Sequence, residues 1–421
     1  MHYFHYQDDE LFCEEVPVRE IAAREGTPFY LYSHRTLERH FRVFDQAFAG
    51  QEHLVCYSVK ACSNLSVIAL FASLGSGCDV VSGGELFRAL KAGVSPAKIV
   101  FSGVGKTVTE IEAALEAGIL MFNVESAQEL LVINEVAGQR GKTAPVALRV
   151  NPDVDPQTHP YISTGLSKNK FGIPMGEAVD RYLEAARLPH VRVVGVDCHI
   201  GSQLTKVSPF RDALQRIKSL VNTLRRYGME IRYLDIGGGL GITYEAEEPP
   251  QPADYARAVI GVVGDLDCVL IVEPGRVLVG NAGIMVTRVQ YTKEGQQKKF
   301  VIVDAGMNDL VRPSLYNAYQ HIMPVRKTDG AAGRAVAVDV VGPICESGDF
   351  LAQERPLPPV QRGDLLAVMS AGAYGFTMAS NYNSRPRVPE IMVNGSRYQV
   401  VRQRETYEDL VRGEIVAVWE K

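Results

Sequence analysis

Leu54-Val55-Cys56-Tyr57-Ser58-Val59-Lys60-Ala61 is a short apolar run that closes on a lysine. A buried ammonium is costly unless it is paired or neutralised, so the ending asks for a reason. Two readings stay open on this stretch alone. The lysine is either a strand-end residue whose head snorkels into solvent, or an amine of lowered pKa at the floor of a site, ready to form a Schiff base with a carbonyl cofactor.

Moving outward, the same rhythm recurs. Short β-branched runs at 78–82, 98–102, 120–125, 145–150, 191–200, 231–236 and 268–273 follow the first at 54–59. Helical stretches rich in Ala, Leu and Glu lie between them, at 84–92, 109–117, 126–137, 177–187, 209–227 and 252–264. Eight strand–helix alternations over about 240 residues predict an eight-stranded parallel barrel, an α/β fold. A doubly wound open sheet is the alternative, but no GxGxxG follows the first strand to support it.

From about residue 281 the pattern turns to long alternating strands with hairpin signals. Asn394-Gly395 between 390–393 and 399–402 predicts a type I′ turn. The chain therefore divides into 1–34, a segment with a short strand at 27–32 that joins the later β domain; 35–280, the barrel; and 281–421, the mostly β domain.

A formal net charge of −5 gives no basic face for nucleic acid, and no apolar run of 18 residues predicts a membrane span. Seven scattered cysteines and an N-terminus without a basic-then-apolar leader suit a reducing cytoplasm. No CxxC pair or helical His pair offers metal-ligand spacing, so no metal is expected.

Active sites of parallel barrels gather at the C-terminal strand ends. In order those ends carry Lys60, Asp79, Ser102, Glu125, Arg149, His199, Gly237-Gly238-Gly239, and Glu273 with Arg276. Each alone could be a cap or turn residue. The triple glycine after the seventh strand and Pro274-Gly275-Arg276 after the eighth read as a phosphate cradle, because glycine admits backbone N–H groups close to an anion and arginine can fork onto it. Phosphate, lysine and a carboxylate together suggest pyridoxal 5′-phosphate, whose ring becomes an electron sink when Glu273 keeps its nitrogen protonated. His199 is placed to stack on that ring, with Ser202 near the phosphate.

With these motifs in order, the chain resembles the fold-type III pyridoxal-phosphate decarboxylases, with their alanine racemase-like barrel and β domain. The matching segments are Tyr57–Ala61, Ser82–Glu85, His199–Gln203, Gly237–Gly239 and Glu273–Arg276, then Arg312–Tyr316, Cys345–Asp349 and Ala373–Gly375. The resemblance implies that Lys60 carries the cofactor covalently and His199 stacks on it. Ser202, Gly238, Gly239, Pro274, Gly275 and Arg276 would surround the phosphate, with Asp79 also in the cofactor set and Glu273 at the ring nitrogen. Tyr374 would touch cofactor and substrate. Cys345 would be the proton donor, given by the second subunit of a homodimer with shared active sites. One departure stands out: Cys62 occupies a position where the family usually has Asn.

The expected substrate is meso-diaminopimelate, which carries an amino-acid head at each end and yields L-lysine and carbon dioxide. Arg312 and Tyr316, four apart on one helical turn, suit a distal carboxylate together with Arg276, and Glu346 suits the distal ammonium. Decarboxylases of ornithine, arginine or carboxynorspermidine are the alternative, with a non-catalytic cofactor-binding relative behind them. The long 151–172 connection, with Ser167-Lys168-Asn169-Lys170 at its tip, is a candidate lid.

Overall fold

The computed structural model describes residues 2–154, 170–327 and 335–419. The tip of the 151–172 connection, 155–169, lies outside the described residues. The chain forms two compact units, one of Glu38–Val279 and one of Met1–Leu37 with Gly280–Lys421.

The first unit is the expected barrel. Its strands are His53–Ser58, Gly77–Val80, Ile99–Phe101, Met121–Val124, Ala144–Asn151, Val191–Asp197, Tyr233–Asp235 and Val269–Val272. Each pairs in parallel with the next, and the eighth returns to the first through Val272 and Val55, so the sheet closes. Closure pairs every strand on both sides, and among the described residues only the overhanging end of Ala144–Asn151 takes an extra partner, Ile173–Pro174. Inside, Cys56, Val100, Met121, Ala147 and Ile271 form a fully buried cluster from five different strands. A parallel sheet covered on both faces explains why the strands read as continuous apolar runs rather than alternating ones.

Helix starts follow their caps. Ser82, Thr107 and Ser126 accept the N–H three residues on, and Thr107 with Glu110 completes a capping box. The helices His34–Ala47 and Leu65–Ser73 are both additional to the expected set, the second for a plain reason. Its sequence LSVIALFAS is apolar nearly throughout, so no helical stripe separates it from a buried strand. The first strand also stops two residues short of the lysine: it ends at Ser58, and Lys60 sits in a single 3₁₀ turn, Val59–Ala61.

The second unit is built on a nine-stranded sheet. Its long strand Gly283–Glu294 pairs antiparallel with Phe29–Ser33 from the N-terminal segment, and Glu390–Asn394 adds to the other side of Phe29–Ser33 in parallel. Ile284, Val286, Phe29, Leu31, Ile391 and Val393 pack together beneath. Strand Phe350–Leu357 is additional to the expected strands, its pattern interrupted by Glu354, Arg355 and Pro356. The predicted hairpin at 390–402 forms, with a different turn. Asn394 pairs with Arg397, so Gly395-Ser396 are the central residues and only Gly395 has a positive φ, +63°. That is the signature of a type II′ turn, in which glycine leads, not of type I′.

Candidate active site

The C-terminal rim of the barrel carries most of the expected residues. Lys60 Nζ lies 2.9 Å from Asp79 Oδ2, and the Ser58 hydroxyl donates to the same oxygen at 2.7 Å. Ser58 and Asp79 face each other across the first two strands. Asp79 is fully buried, whereas the Lys60 side chain keeps 38% of its surface open. Burial alone would raise the Asp79 carboxyl, but the Lys60 charge and the bonds from Lys60, Ser58 and Ser102 outweigh it and hold it below its ordinary value. The lysine is thus paired through its ammonium, while part of its side chain stays exposed.

The glycine loop follows the seventh strand. Asp235 Oδ1 accepts the Gly237 N–H at 3.0 Å, His199 Nδ1 accepts the Gly238 N–H at 3.2 Å, and Gly239 C=O accepts from Leu204 N–H at 2.8 Å. No side chain fits here. A Cβ on Gly237, which has φ +66°, would stand 2.2 Å from His199 Nδ1, and one on Gly238 would stand 2.3 Å from the Glu273 carbonyl. The Gly238 bond makes Nδ1 an acceptor, which leaves the neutral His199 ring its proton on Nε2. Burial, then the charges of Arg149 and Lys60, press its pKa well below the usual imidazole range, so the ring is neutral.

Beyond the eighth strand, the Arg276 fork donates to the Ser202 hydroxyl at 3.0 Å and to the Tyr244 hydroxyl at 2.8 Å. Gly275 lets this turn lie against the first strand: its Cβ would come within 3.0 Å of both Ser58 and Ala61. Ser58 N–H donates to the Pro274 carbonyl at 3.2 Å. Glu273 is buried beside the glycine loop, its N–H donating to Gly237 C=O at 2.9 Å. Its Oε1 is buried with no hydrogen-bond partner. Burial first, and then the neighbouring Asp235, Asp79 and Asp197, push its carboxyl far up.

Further polar residues complete the rim. Asn123, mid-barrel, donates to Asp235 Oδ2 at 3.0 Å. Arg149 binds Glu125 at 2.7 Å, both buried. Both were visible as polar strand ends, but no spacing linked them to each other. Nothing in the sequence around Tyr244 marks it as a partner of Arg276.

The remaining candidates belong to the sheet unit. Arg312 and Tyr316 open and close the short helix Arg312–Tyr316, with Arg312 buried and Tyr316 half-buried. Cys345 and Glu346 are exposed on a turn. Tyr374 is half-buried with φ +56°, a left-handed backbone that costs a bulky residue energy and marks positions fixed for a purpose.

A closed barrel whose rim joins an accessible lysine, a side-chain-free anion cradle with an arginine fork and a buried acid in need of a donor defines an enzyme that holds a phosphorylated carbonyl cofactor. Residues 34–280 match the family described as pyridoxal-dependent decarboxylase, pyridoxal binding domain. Relatives extend the match along the whole chain. Diaminopimelate decarboxylase of Vibrio cholerae is 53% identical over 412 residues, 97% of this chain and 98% of its own. That of Pseudomonas aeruginosa is 54% identical over 411 residues, 98% of each chain. Among solved structures, diaminopimelate decarboxylase from Helicobacter pylori complexed with L-lysine superposes with a TM-score of 0.90 at 44% identity, covering 94% of this chain and 98% of that one. The M. jannaschii enzyme in co-complex with L-lysine gives 0.93 at 41% identity, covering 98% of each. The chain belongs to the pyridoxal-dependent decarboxylases, in their diaminopimelate decarboxylase family.

Pyridoxal phosphate is accordingly its cofactor, and the rim fits it. The unmatched Glu273 Oε1 would accept a hydrogen bond from a protonated ring nitrogen, whose positive charge would offset the burial and the acidic neighbours that raise that carboxyl. The glycines of the loop let it lie directly against His199 and Glu273, where any Cβ would intrude, so backbone and not side chains faces the phosphate position.

Proposed function

We propose that this chain catalyses the pyridoxal 5′-phosphate-dependent decarboxylation of meso-diaminopimelate to L-lysine and carbon dioxide, the last step of lysine biosynthesis. The Lys60–Asp79 pair carries this reading. A lysine whose ammonium is held at 2.9 Å by a fully buried carboxylate, with part of its side chain still exposed, is the residue that would hold the carbonyl cofactor.

Bound pyridoxal phosphate supplies an electron sink for the pair left behind when the α-carboxylate departs. Asp79 keeps the Lys60 amine over the strand end. The neutral His199 presents a ring face without adding charge. Glu273 would hold a proton at the ring nitrogen, while Ser202, Gly238, Gly239, Gly275 and Arg276, beside Pro274, would receive the phosphate. Arg312, Tyr316 and Arg276 would take the distal carboxylate, Glu346 the distal ammonium, and Tyr374 would touch cofactor and substrate. The Cys345 thiol delivers the proton to the α-carbon.

We further infer a homodimer in which Cys345 and Glu346 serve the neighbouring subunit's site. Their exposure on a surface turn supports this. A cytoplasmic setting is supported by cysteines that form no disulfide among the described residues. No described helix is long and apolar enough to cross a membrane.

A competition assay tests the substrate. With meso-diaminopimelate and L-ornithine at equal concentration, carbon dioxide release from the former should be faster by at least ~100-fold, because a site built to pair a second amino-acid head rejects a substrate lacking it. Faster turnover of ornithine would overturn the assignment.

A further inference from the structure

The Cys345–Glu346 turn lies outside any helix or strand, yet other parts of the sheet unit fix its backbone. Asp349, buried, accepts the Met307 N–H through Oδ1 at 2.6 Å and the Ile344 N–H through Oδ2 at 2.7 Å. Cys345 N–H donates to Asn383 Oδ1 at 2.7 Å, and Asn383 is itself held in the left-handed region, φ +54°. On the far side, the Ser314 hydroxyl donates to the Gly348 carbonyl at 2.5 Å. Within the turn, Glu346 N–H bonds Ile344 C=O at 2.8 Å and Asp349 N–H bonds Glu346 C=O at 3.0 Å.

Two glycines make room for the carboxylate that joins these loops. A Cβ on Gly342 would stand 2.5 Å from Asp349 Oδ2 and 2.5 Å from Gly306 Cα, and one on Gly306 would stand 3.1 Å from Asp349 Oδ1. Ser314 is the middle residue of the helix that carries Arg312 and Tyr316. One carboxylate and one hydroxyl therefore tie the thiol-bearing turn to the 306–308 loop and to the arginine-bearing helix.

The geometry points to Asp349 as a positioning residue: its carboxylate fixes where the Cys345 thiol stands by bridging the Met307 and Ile344 amides, and Ser314 extends that frame to the helix of Arg312 and Tyr316. Each of its two oxygens accepts a backbone N–H, so this one side chain ties the turn down at two points. The inference rests on the reading of Cys345 as proton donor and Glu346 as ammonium partner. Asp349 touches neither substrate nor cofactor in this role. Its loss should therefore act through misplacement of the thiol.

Hydrogen exchange followed by mass spectrometry on the full-length holoenzyme, alongside steady-state kinetics on meso-diaminopimelate, tests this. In Asp349→Ala, peptides containing Met307 and Ile344 should exchange at least ~10-fold faster, while the barrel strand His53–Ser58 exchanges as in the wild type. The kcat should fall by about 10–100-fold, with a smaller change in KM, the signature of a misplaced reacting group. Asp349→Asn, which keeps one acceptor oxygen and the side-chain volume, should fall between the two and guards against a failure to fold. Unchanged exchange at both peptides, or faster exchange with kcat within about twofold of wild type, would overturn the proposal. A wild-type enzyme inactive on meso-diaminopimelate would refute the functional reading, and the exchange arm would still decide whether Asp349 clamps the turn.

Discussion

At the barrel rim the cations are engaged by neighbouring side chains: Lys60 by Asp79, Arg149 by Glu125, Arg276 by the hydroxyls of Ser202 and Tyr244. In the sheet unit Cys345 and Glu346 are exposed, and bonds to their backbone, not to their side chains, hold them in place. The difference matches the two tasks. A resident cofactor rewards a preorganised pocket whose dipoles need not move. A substrate that must enter and leave rewards a stiff backbone presenting open side chains.

That contrast can be broken from either side. Arg276→Ala removes the fork that spans Ser202 and Tyr244, together with the main cation proposed for the phosphate. Its apparent affinity for pyridoxal phosphate, read by titrating the apoenzyme, should weaken by about 10–100-fold, the worth of a charge-assisted pair. A change under about twofold would place the phosphate elsewhere.

The next effect is in stability. Burial lifts the Asp235 carboxyl to about 6, against the bonds from Gly237 N–H and Asn123 that lower it. Burial likewise lifts Asp309 of the sheet unit to about 7, against the Gly306 N–H. In each case the folded state keeps a proton that the unfolded chain releases near its ordinary value of 3.8. The contribution to stability is therefore complete below about pH 4 and disappears as pH rises through the folded value. Asp235→Asn and Asp309→Asn should each gain stability relative to wild type between pH 4 and 7, measured as urea midpoints. Midpoints that run parallel to wild type across that range would mean the carboxyls are ionised throughout.

Cys62 should matter least. It is buried, and its backbone carbonyl, which accepts the Tyr57 hydroxyl at 2.9 Å, is the atom that shapes the turn after Lys60. Cys62→Ala keeps that carbonyl, so kcat should stay within about twofold. A larger loss would give the thiol a part in tuning the lysine.

Much of the barrel was legible in the sequence because apolar runs ending in Lys60, Asp79, Arg149, His199 and Glu273 repeat at the spacing of strand–helix units. The helix Leu65–Ser73 was not, since a uniformly apolar segment carries no period. The rim was legible only as a set of polar strand ends. Which end bonds which depends on barrel closure: Asn123 reaches Asp235 across 112 residues of sequence. The sheet-unit positions were harder still. Arg312, Cys345 and Tyr374 stood out through resemblance, because loops carry no periodicity from which geometry can be argued. Asp349 lay inside a quoted motif without a role, since its partners are backbone amides that any residue supplies. The hairpin at Asn394-Gly395 shows the limit of local signals: the turn formed, but one residue later than the dipeptide rule places it.

The central claim is that Lys60, held by Asp79, carries the cofactor for this reaction. The direct measurement is carbon dioxide release from meso-diaminopimelate with and without added pyridoxal phosphate, for wild type and Lys60→Ala. The wild type should release carbon dioxide and form L-lysine in a cofactor-dependent manner, and the variant should lose at least ~10³-fold in kcat, as expected when a covalent catalytic group is removed. Undiminished release by Lys60→Ala would contradict the account.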